Sequence, residues 1–145
     1  MDSDFRKLDA DKTDTFGPAA ILVSGYPPMV IDPFEDLLAA IGCASHRVVL
    51  VSEQMLDMKL GDILAAEGSL GKPAPAEALP PVILFSGMTD AQVRSFLSGY
   101  KDLGAPRGIF AVLTETNIDF VLREHLIALL QEHEAMTKEN GQNPQ

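Results

Sequence analysis

Two stretches of this chain, residues 18–68 and 80–130, resemble each other at a constant offset of 62 residues without a gap. Pro-Ala-Ala-Ile-Leu-Val-Ser-Gly (18–25) aligns with Pro-Pro-Val-Ile-Leu-Phe-Ser-Gly (80–87). Twelve of the 51 aligned pairs are identical, whereas ordinary composition gives roughly three or four. A repeat of this length is one supersecondary unit used twice. The sequence therefore predicts a tandem duplication.

Each copy has the hydrophobic pattern of a strand-helix-strand-helix unit. Short apolar runs predict strands over residues 20–24, 48–51, 82–86 and 109–113. Between them, apolar residues recur at i, i+3, i+4 and i+7, which indicates helices. We predict an α/β fold with one shared four-stranded sheet and four helices. The relative direction of the copies stays open: a twofold relation makes two equivalent strands antiparallel neighbours, and a translation makes all four strands parallel.

The helix termini carry capping signals. Asp32 precedes a proline and stands three residues before Glu35, and Thr89 stands three residues before Gln92; both spacings are typical of capping boxes. By this interpretation the second helix starts about five residues earlier in its copy than the first. Gly42 and Gly104 follow the apolar stripes, where a left-handed residue ends a helix.

The repeat divides the chain into five segments. Residues 1–17 are acidic and are predicted to be a mobile arm. The first copy spans 18–68, a Pro/Ala-rich linker spans 69–79, and the second copy spans 80–134. Residues 135–145 are predicted to form a polar tail.

Composition argues against several classes of function. A net charge of −10 and a pI near 4.5 disfavour nucleic acid, because binding phosphates requires a concentrated basic surface. No apolar run approaches the ~20 residues of a membrane helix, and the first residues lack a signal-peptide pattern. We expect a cytoplasmic protein without membrane contact. The only cysteine, Cys43, excludes an intrachain disulfide and a cysteine-based zinc site.

The candidate ligand site lies in loops that follow strands. In open α/β sheets, ligands collect at the carboxyl ends of strands. Four loops qualify, after Ser24, Ser52, Ser86 and Thr114. The polar groups are densest in the second copy, so the candidate ligand-binding residues are Ser86, Gly87, Thr114, Glu115, Thr116 and Asn117. The alternative is that they serve only turns and caps, since Thr116 and Asp119 match a helix-start pattern.

The ionisable residues suggest no catalytic group, metal site or cofactor. Glu53 aligns with Glu115 and Asp57 with Asp119. Carboxylates on one rim can share a proton or bind a cation, but we favour the simpler explanation that a helix-start acid, stabilised by the helix dipole, was inherited twice. His125 lies on an apolar helix stripe and is predicted to be half-buried with a neighbour as partner. Cys43 is predicted to be buried.

Part of the second copy resembles an uncharacterised bacterial family. Ile-Leu-Phe-Ser-Gly-Met-Thr-Asp (83–90) and Ala-Val-Leu-Thr-Glu-Thr-Asn (111–117), with Leu126 and Gln-Glu-His-Glu (131–134), are similar to domain of unknown function 3783. The resemblance covers about residues 82–134. The first copy lacks the asparagine and threonines at 49–55 and looks like a diverged duplicate. The family implies no activity.

Two functions of different class follow. We favour a non-catalytic interaction or regulatory module, which binds an unknown protein partner or a second copy of itself through a sheet edge or a helix face. The alternative is a small polar-ligand-binding protein or a minor enzyme that uses the loop 114–117.

Overall fold

The computed structural model describes residues 15–66, 71–105 and 107–142. The strands are β1 (Ala20–Ser24), β2 (Arg47–Leu50), β3 (Val82–Ser86) and β4 (Ile109–Val112). The helices are α1 (Ile31–Ala40), α2 (Leu60–Ala65), α3 (Asp90–Asp102) and α4 (Leu122–Gln142). This confirms the predicted α/β fold with one four-stranded sheet and four helices. Most of the predicted arm, and parts of the predicted linker and tail, lie outside the described residues.

The sheet order is β2-β1-β3-β4. Each copy supplies a parallel pair, β1 with β2 and β3 with β4, while β1 and β3 are antiparallel neighbours in the centre. Of the two arrangements left open by the sequence, this is the one with antiparallel central strands. The two parallel pairs consequently point their carboxyl ends to opposite ends of the sheet.

The sheet is covered by helices on both faces. The central strands β1 and β3 are buried along their whole length, as expected for strands packed on both sides. Ala20, Leu22, Val82 and Leu84 pack with residues of α2 and α4 on one face. Ile21, Val23, Ile83 and Phe85 pack with residues of α1 and α3 on the other face. The alternation along each strand thus divides its side chains between two cores.

The contacts between the halves are reciprocal at the 62-residue offset. Leu22 pairs with Leu84 at the middle of the β1–β3 ladder. The Ser24 hydroxyl donates to the Pro80 carbonyl at 2.8 Å, and the equivalent Ser86 hydroxyl donates to the Pro18 carbonyl at 2.6 Å. Such reciprocity describes an approximate twofold axis through the centre of the sheet.

A second reciprocal contact lies after the outer strands. Lys59 and Val121, which are equivalent positions, form an isolated antiparallel bridge. The Leu60 N–H donates to the Phe120 carbonyl, and the Leu122 N–H donates to the Met58 carbonyl, both at 2.9 Å. The starts of α2 and α4 are therefore held together at this axis.

The helix termini agree with only part of the sequence interpretation. Thr89 and Gln92 form the predicted capping box, with reciprocal bonds of 2.9 and 3.1 Å. Asp32 is not an N-cap, because it lies inside the first turn of α1. A 3-10 turn, Pro28–Val30, precedes α1 and starts at the position equivalent to Asp90. Counted from the first α-helical residue, α3 starts three residues earlier in its copy than α1, so the predicted direction of the difference is right and its predicted size of five residues is wrong.

The ends of the first helix in each copy are as predicted. Gly42 and Gly104 have φ angles of +87° and +69°, a conformation that L-residues disfavour and that terminates a helix.

The described linker residues contact the end of the first copy. Pro73 forms an antiparallel bridge with Ser52, and the Ala74 N–H donates to the Val51 carbonyl at 2.9 Å. A 3-10 turn, Ala76–Ala78, follows. At the other end of the chain, α4 continues to Gln142, into the segment predicted as a polar tail.

Candidate functional site

The topology separates the four strand-end loops into two pairs. The loops after β3 and β4 share one end of the sheet, because these strands are parallel neighbours. The loops after β1 and β2 lie at the opposite end. The six candidate residues of the second copy therefore follow β3 and β4 at one end of the sheet. The four loops do not converge, and Glu53 and Glu115 follow strands that point in opposite directions.

Ser86 and Gly87 are covered by the chain itself. The Ser86 side chain is buried and donates to the Pro18 carbonyl. The Gly87 N–H donates to the Phe16 carbonyl at 2.9 Å, and its carbonyl accepts from His46 Nε2 at 2.8 Å. Both backbone groups of Gly87 are thus used within the chain.

Residues 16–18 leave no room for a ligand over Gly87. Gly87 has a φ of +69°, and a Cβ added there would lie 2.8 Å from the Pro18 carbonyl oxygen. Residues 16–18 therefore fill the space over the end of β3, where open α/β sheets often hold a ligand.

In the loop 114–117, the polar groups bind one another. The Thr114 N–H donates to Asn117 Oδ1 at 2.8 Å, and the Asn117 N–H donates to Thr114 Oγ1 at 3.1 Å. Asn117 Nδ2 donates to the Val112 carbonyl at 3.0 Å. The reciprocal pair has the form of a capping box, formed by Thr114 and Asn117.

The Asn117 side chain takes the place of a neighbouring strand. The Ile109 N–H donates to the Pro81 carbonyl and the Leu113 N–H to the Phe85 carbonyl, so these alternate residues face β3. The even-numbered residues of β4 therefore direct their backbone groups to the outer edge. Asn117 satisfies two of these groups, the Val112 carbonyl and the Thr114 N–H.

Glu115 and Thr116 have no comparable role. Both side chains are exposed, and Thr116 makes no side-chain cap bond to the 3-10 turn Asn117–Asp119. The pairing of Thr116 with Asp119 that the sequence suggested is not formed. Glu115 makes no hydrogen bond or ion pair within the described residues.

The duplicated acids do not form a metal site. Asp57 pairs with Arg123 at 3.2 Å, and their side chains are 78% and 52% exposed, so this is a surface ion pair of small energetic value. Within residues 15–66, 71–105 and 107–142, no group of three or more His, Cys, Asp or Glu side chains could hold a metal ion.

Several ionisable side chains of the described residues are buried, among them Cys43, Tyr26, Tyr100 and His125. Cys43 is buried, as predicted, and burial raises the pKa of its thiol. Burial also raises the pKa of Tyr26, whose hydroxyl lies 2.6 Å from that of Tyr100. His125 is buried against the Phe120 ring. Burial lowers the His125 pKa, and nearby Glu132 partly offsets this.

His125 lacks the partner that the sequence suggested. Its Nε2 atom is buried and has no hydrogen-bond partner in the described part of the chain. Packed side chains enclose Cys43, Tyr26 and His125, and burial is the main cause of the change in each of their pKa values.

The edge of β4 is an exposed apolar surface that sequence reasoning missed. Phe110 and Val112 are 36% and 42% exposed, and within the described residues β4 pairs with β3 alone. Phe110 packs on Phe85 and Tyr100, with ring centroids 6.3 and 5.2 Å apart. We call Ile109–Val112 and its outward-facing backbone groups the β4 edge.

A groove lies on each side of the β4 edge. One, of about 530 Å³, is lined by Leu97, Tyr100, Lys101, Ala105, Arg107, Gly108, Phe110 and His133. The other, of about 310 Å³, lies against α4 and includes Ile109, Leu129 and Met136. The apolar run 109–113 was visible in the sequence, but its place at the border of the sheet depends on strand order.

Residues 81–136 match the model of a family described as Domain of unknown function (DUF3783). This confirms the resemblance of the second copy. The DUF3783 segment contains β3, α3 and β4 together with the loop 114–117 and the start of α4. No curated protein and no solved structure matches the chain. Within the described residues, no helix has the length and apolar character needed to cross a membrane.

Proposed function

We propose that this protein is a non-catalytic interaction module that binds another polypeptide chain through the β4 edge. The observation that carries the proposal is the exposure of Phe110 and Val112 on an outer strand with apolar grooves beside it. Outer strands present unpaired N–H and C=O groups that can accept a further strand. Exposed apolar side chains on such a strand add hydrophobic contact area to this pairing.

The alternative, a small-ligand site or minor enzyme on residues 114–117, has less support. Thr114 and Asn117 use their side chains for each other and for the end of β4. Ser86 and Gly87 are occupied by residues 16–18 and His46. Among the six candidates, Glu115 and Thr116 keep side chains available to a ligand, and two exposed groups form a poor small-molecule site.

The proposal includes a duplicated origin and a cytoplasmic location. Identical strand registers in the two halves and the reciprocal bonds of Ser24 and Ser86 support the duplication. The acidic composition supports a protein that does not bind nucleic acid, and a single cysteine without a possible intrachain disulfide agrees with a reducing compartment such as the cytoplasm.

A capture experiment with matched variants tests this function. The full chain, Val112→Lys and Met29→Lys would each serve as bait in a lysate of the cells that encode the protein. Val112 lies on the β4 edge, and Met29 is an exposed apolar residue of a different element. Lysine on an outer strand preserves folding and blocks strand addition.

We expect a set of proteins, or the protein's own untagged copies, to be retained by the full chain and by Met29→Lys and lost with Val112→Lys. Quantitative mass spectrometry of the captured material measures this. The same capture by all three baits would contradict the proposal, provided that circular dichroism shows all three to be folded.

A further inference from the structure

We infer that the polypeptide bound at the β4 edge is a strand in which acidic and apolar side chains alternate, with its carboxylates in the groove beside α3. The inference rests on the proposed function and names the chemistry of the partner. It follows from the different character of the two grooves that flank the β4 edge.

The groove beside α3 combines basic and apolar residues. Lys101, Arg107 and His133 line it together with Leu97 and Phe110, and none of the described residues that line it is acidic. The chain has 21 acidic residues and only 11 lysines and arginines. A groove that collects two of these cations and a histidine without any acid is a local exception on an acidic protein. We call it the α3-side groove.

The basic side chains of the α3-side groove are unpaired. Lys101, Arg107 and His133 are exposed, and within the described residues they form no ion pair or hydrogen bond. Lys101 belongs to the last turn of α3, Arg107 precedes β4, and His133 belongs to α4. Three separate elements thus supply basic groups to one groove. A carboxylate placed there gains charge-assisted hydrogen bonds.

The groove beside α4, which we call the α4-side groove, favours a different side chain. Ile109, Leu129 and Met136 give it apolar surface, and Glu132 also lines it. His133 lines both grooves. An apolar side chain gains hydrophobic contact in the α4-side groove, whereas a carboxylate there meets the like charge of Glu132.

A strand added to the β4 edge would enter both grooves. Gly108 and Phe110 line both of them, and successive side chains of a strand point to opposite faces of a sheet. The partner therefore places every second side chain in the α3-side groove and the side chains between them in the α4-side groove. Carboxylates on one face and apolar groups on the other give an alternating acidic and apolar sequence.

The part of the β4 edge that can pair lies beside the basic groups. Alternate residues of β4 bond to β3, which leaves the backbone groups of Phe110 directed outward. At the other end of the strand, Asn117 occupies the Val112 carbonyl and the Thr114 N–H. Strand addition is therefore confined to the beginning of β4, around Phe110. Because Phe110 also lines the α3-side groove, backbone pairing and carboxylate binding occur at the same place.

The net charge of −10 does not prevent the binding of an acidic segment. At physiological ionic strength the Debye length is about 8 Å, so exposed charges that lie further apart are largely screened. The partner's carboxylates therefore respond mainly to the basic residues of the groove that they enter. Since these contacts are exposed, the affinity should fall as the salt concentration rises.

Peptide selection tests the chemistry of the partner. The immobilised full chain would select from a phage library of random dodecapeptides, and the most enriched peptide would be synthesised with a fluorescent label. We expect Asp or Glu at every second position of the enriched peptides, with apolar residues between them. Fluorescence anisotropy of the labelled peptide measures its dissociation constant.

Charge reversal in the α3-side groove provides the matched comparison. Lys101→Glu and Arg107→Glu should each raise the dissociation constant about fivefold, because each replaces an exposed attraction by a repulsion. Lys72→Glu is the control, since it makes the same charge change at an exposed residue beside Ser52, after the outer strand at the opposite border of the sheet. It should leave the dissociation constant within about twofold of the original value.

Enriched peptides without an excess of acidic residues would overturn the inference, and so would a dissociation constant that Lys101→Glu and Arg107→Glu leave unchanged. In both cases a loss of binding with Val112→Lys would leave the proposed function intact, whereas binding that persists in Val112→Lys would contradict the proposed function itself. A library from which no peptide is enriched would also overturn the inference, and the capture experiment would then judge the proposed function. Circular dichroism of every variant verifies that a loss of binding is not a loss of fold.

Discussion

Replacing Asn117 by alanine should destabilise the protein, although Asn117 lies at the surface. The change removes the bonds from the Thr114 N–H to Oδ1 and from Nδ2 to the Val112 carbonyl. It also weakens the turn that the Thr114 hydroxyl holds. A net hydrogen bond contributes about 0.5–1.5 kcal/mol, and loss of a cap costs about 0.5–2 kcal/mol. Partial exposure of the site places the expected loss at about 1–2 kcal/mol.

Glu115→Ala is the matched control in the same loop. Glu115 is exposed and makes no hydrogen bond within the described residues, so its removal should change the free energy of unfolding by no more than about 0.5 kcal/mol. Asn117→Asp should fall between the two, because it keeps the acceptor for Thr114 and loses the donor to Val112.

Urea unfolding followed by circular dichroism measures the free energy of unfolding of the three variants, and thermal melts give their Tm values as an independent measurement. For a domain of this size the Asn117→Ala loss corresponds to roughly 3–8 °C in Tm. An unchanged midpoint for Asn117→Ala, or a larger loss for Glu115→Ala, would refute the view that Asn117 closes the end of β4.

Three other predictions concern the glycine turns, pH and charge. Gly87→Ala should cost at least about 2 kcal/mol more than Gly104→Ala in urea unfolding, because both have a φ of +69° but only Gly87 meets a carbonyl within 4 Å; equal losses would contradict this.

Because burial lowers the His125 pKa below its ordinary value of 6.5, the unfolded chain binds the proton more readily, so stability should fall as pH drops below about 6.5. His125→Leu should flatten that slope in urea unfolding between pH 7 and pH 5, and an unchanged slope would contradict this prediction. Finally, with a net charge of −10, the protein should produce no shift of DNA or RNA in a mobility assay at physiological salt, and a salt-sensitive shift would count against the proposed partner class.

The sequence was most informative about the local elements. The apolar runs at 20–24 and 82–86 matched β1 and β3, because strands buried on both faces are continuous apolar segments. Gly42 and Gly104 ended their helices as predicted, since a left-handed residue has a strong local preference for glycine. The predicted cap at Asp32 is wrong because a 3-10 turn that starts at Pro28 leads directly into α1. Asp32 therefore already lies inside the helix.

Strand order and direction came only from the tertiary structure. The runs at 20–24 and 109–113 are similarly apolar, yet β1 is central and β4 is an outer strand. The hydrophobic pattern indicates which side chains are buried. It does not indicate which strands are neighbours, because strand neighbours depend on long-range pairing and packing.

The candidate site shows the same division. Its six residues were found from their place after β3 and β4, and the parallel pairing of these strands does bring them to one end of the sheet. The tertiary structure then decided that residues 16–18 cover Gly87 and that Asn117 completes the outer strand. Sequence alone could place polar groups at a strand end, but their partners come from segments that are distant along the chain or depend on how a loop folds back.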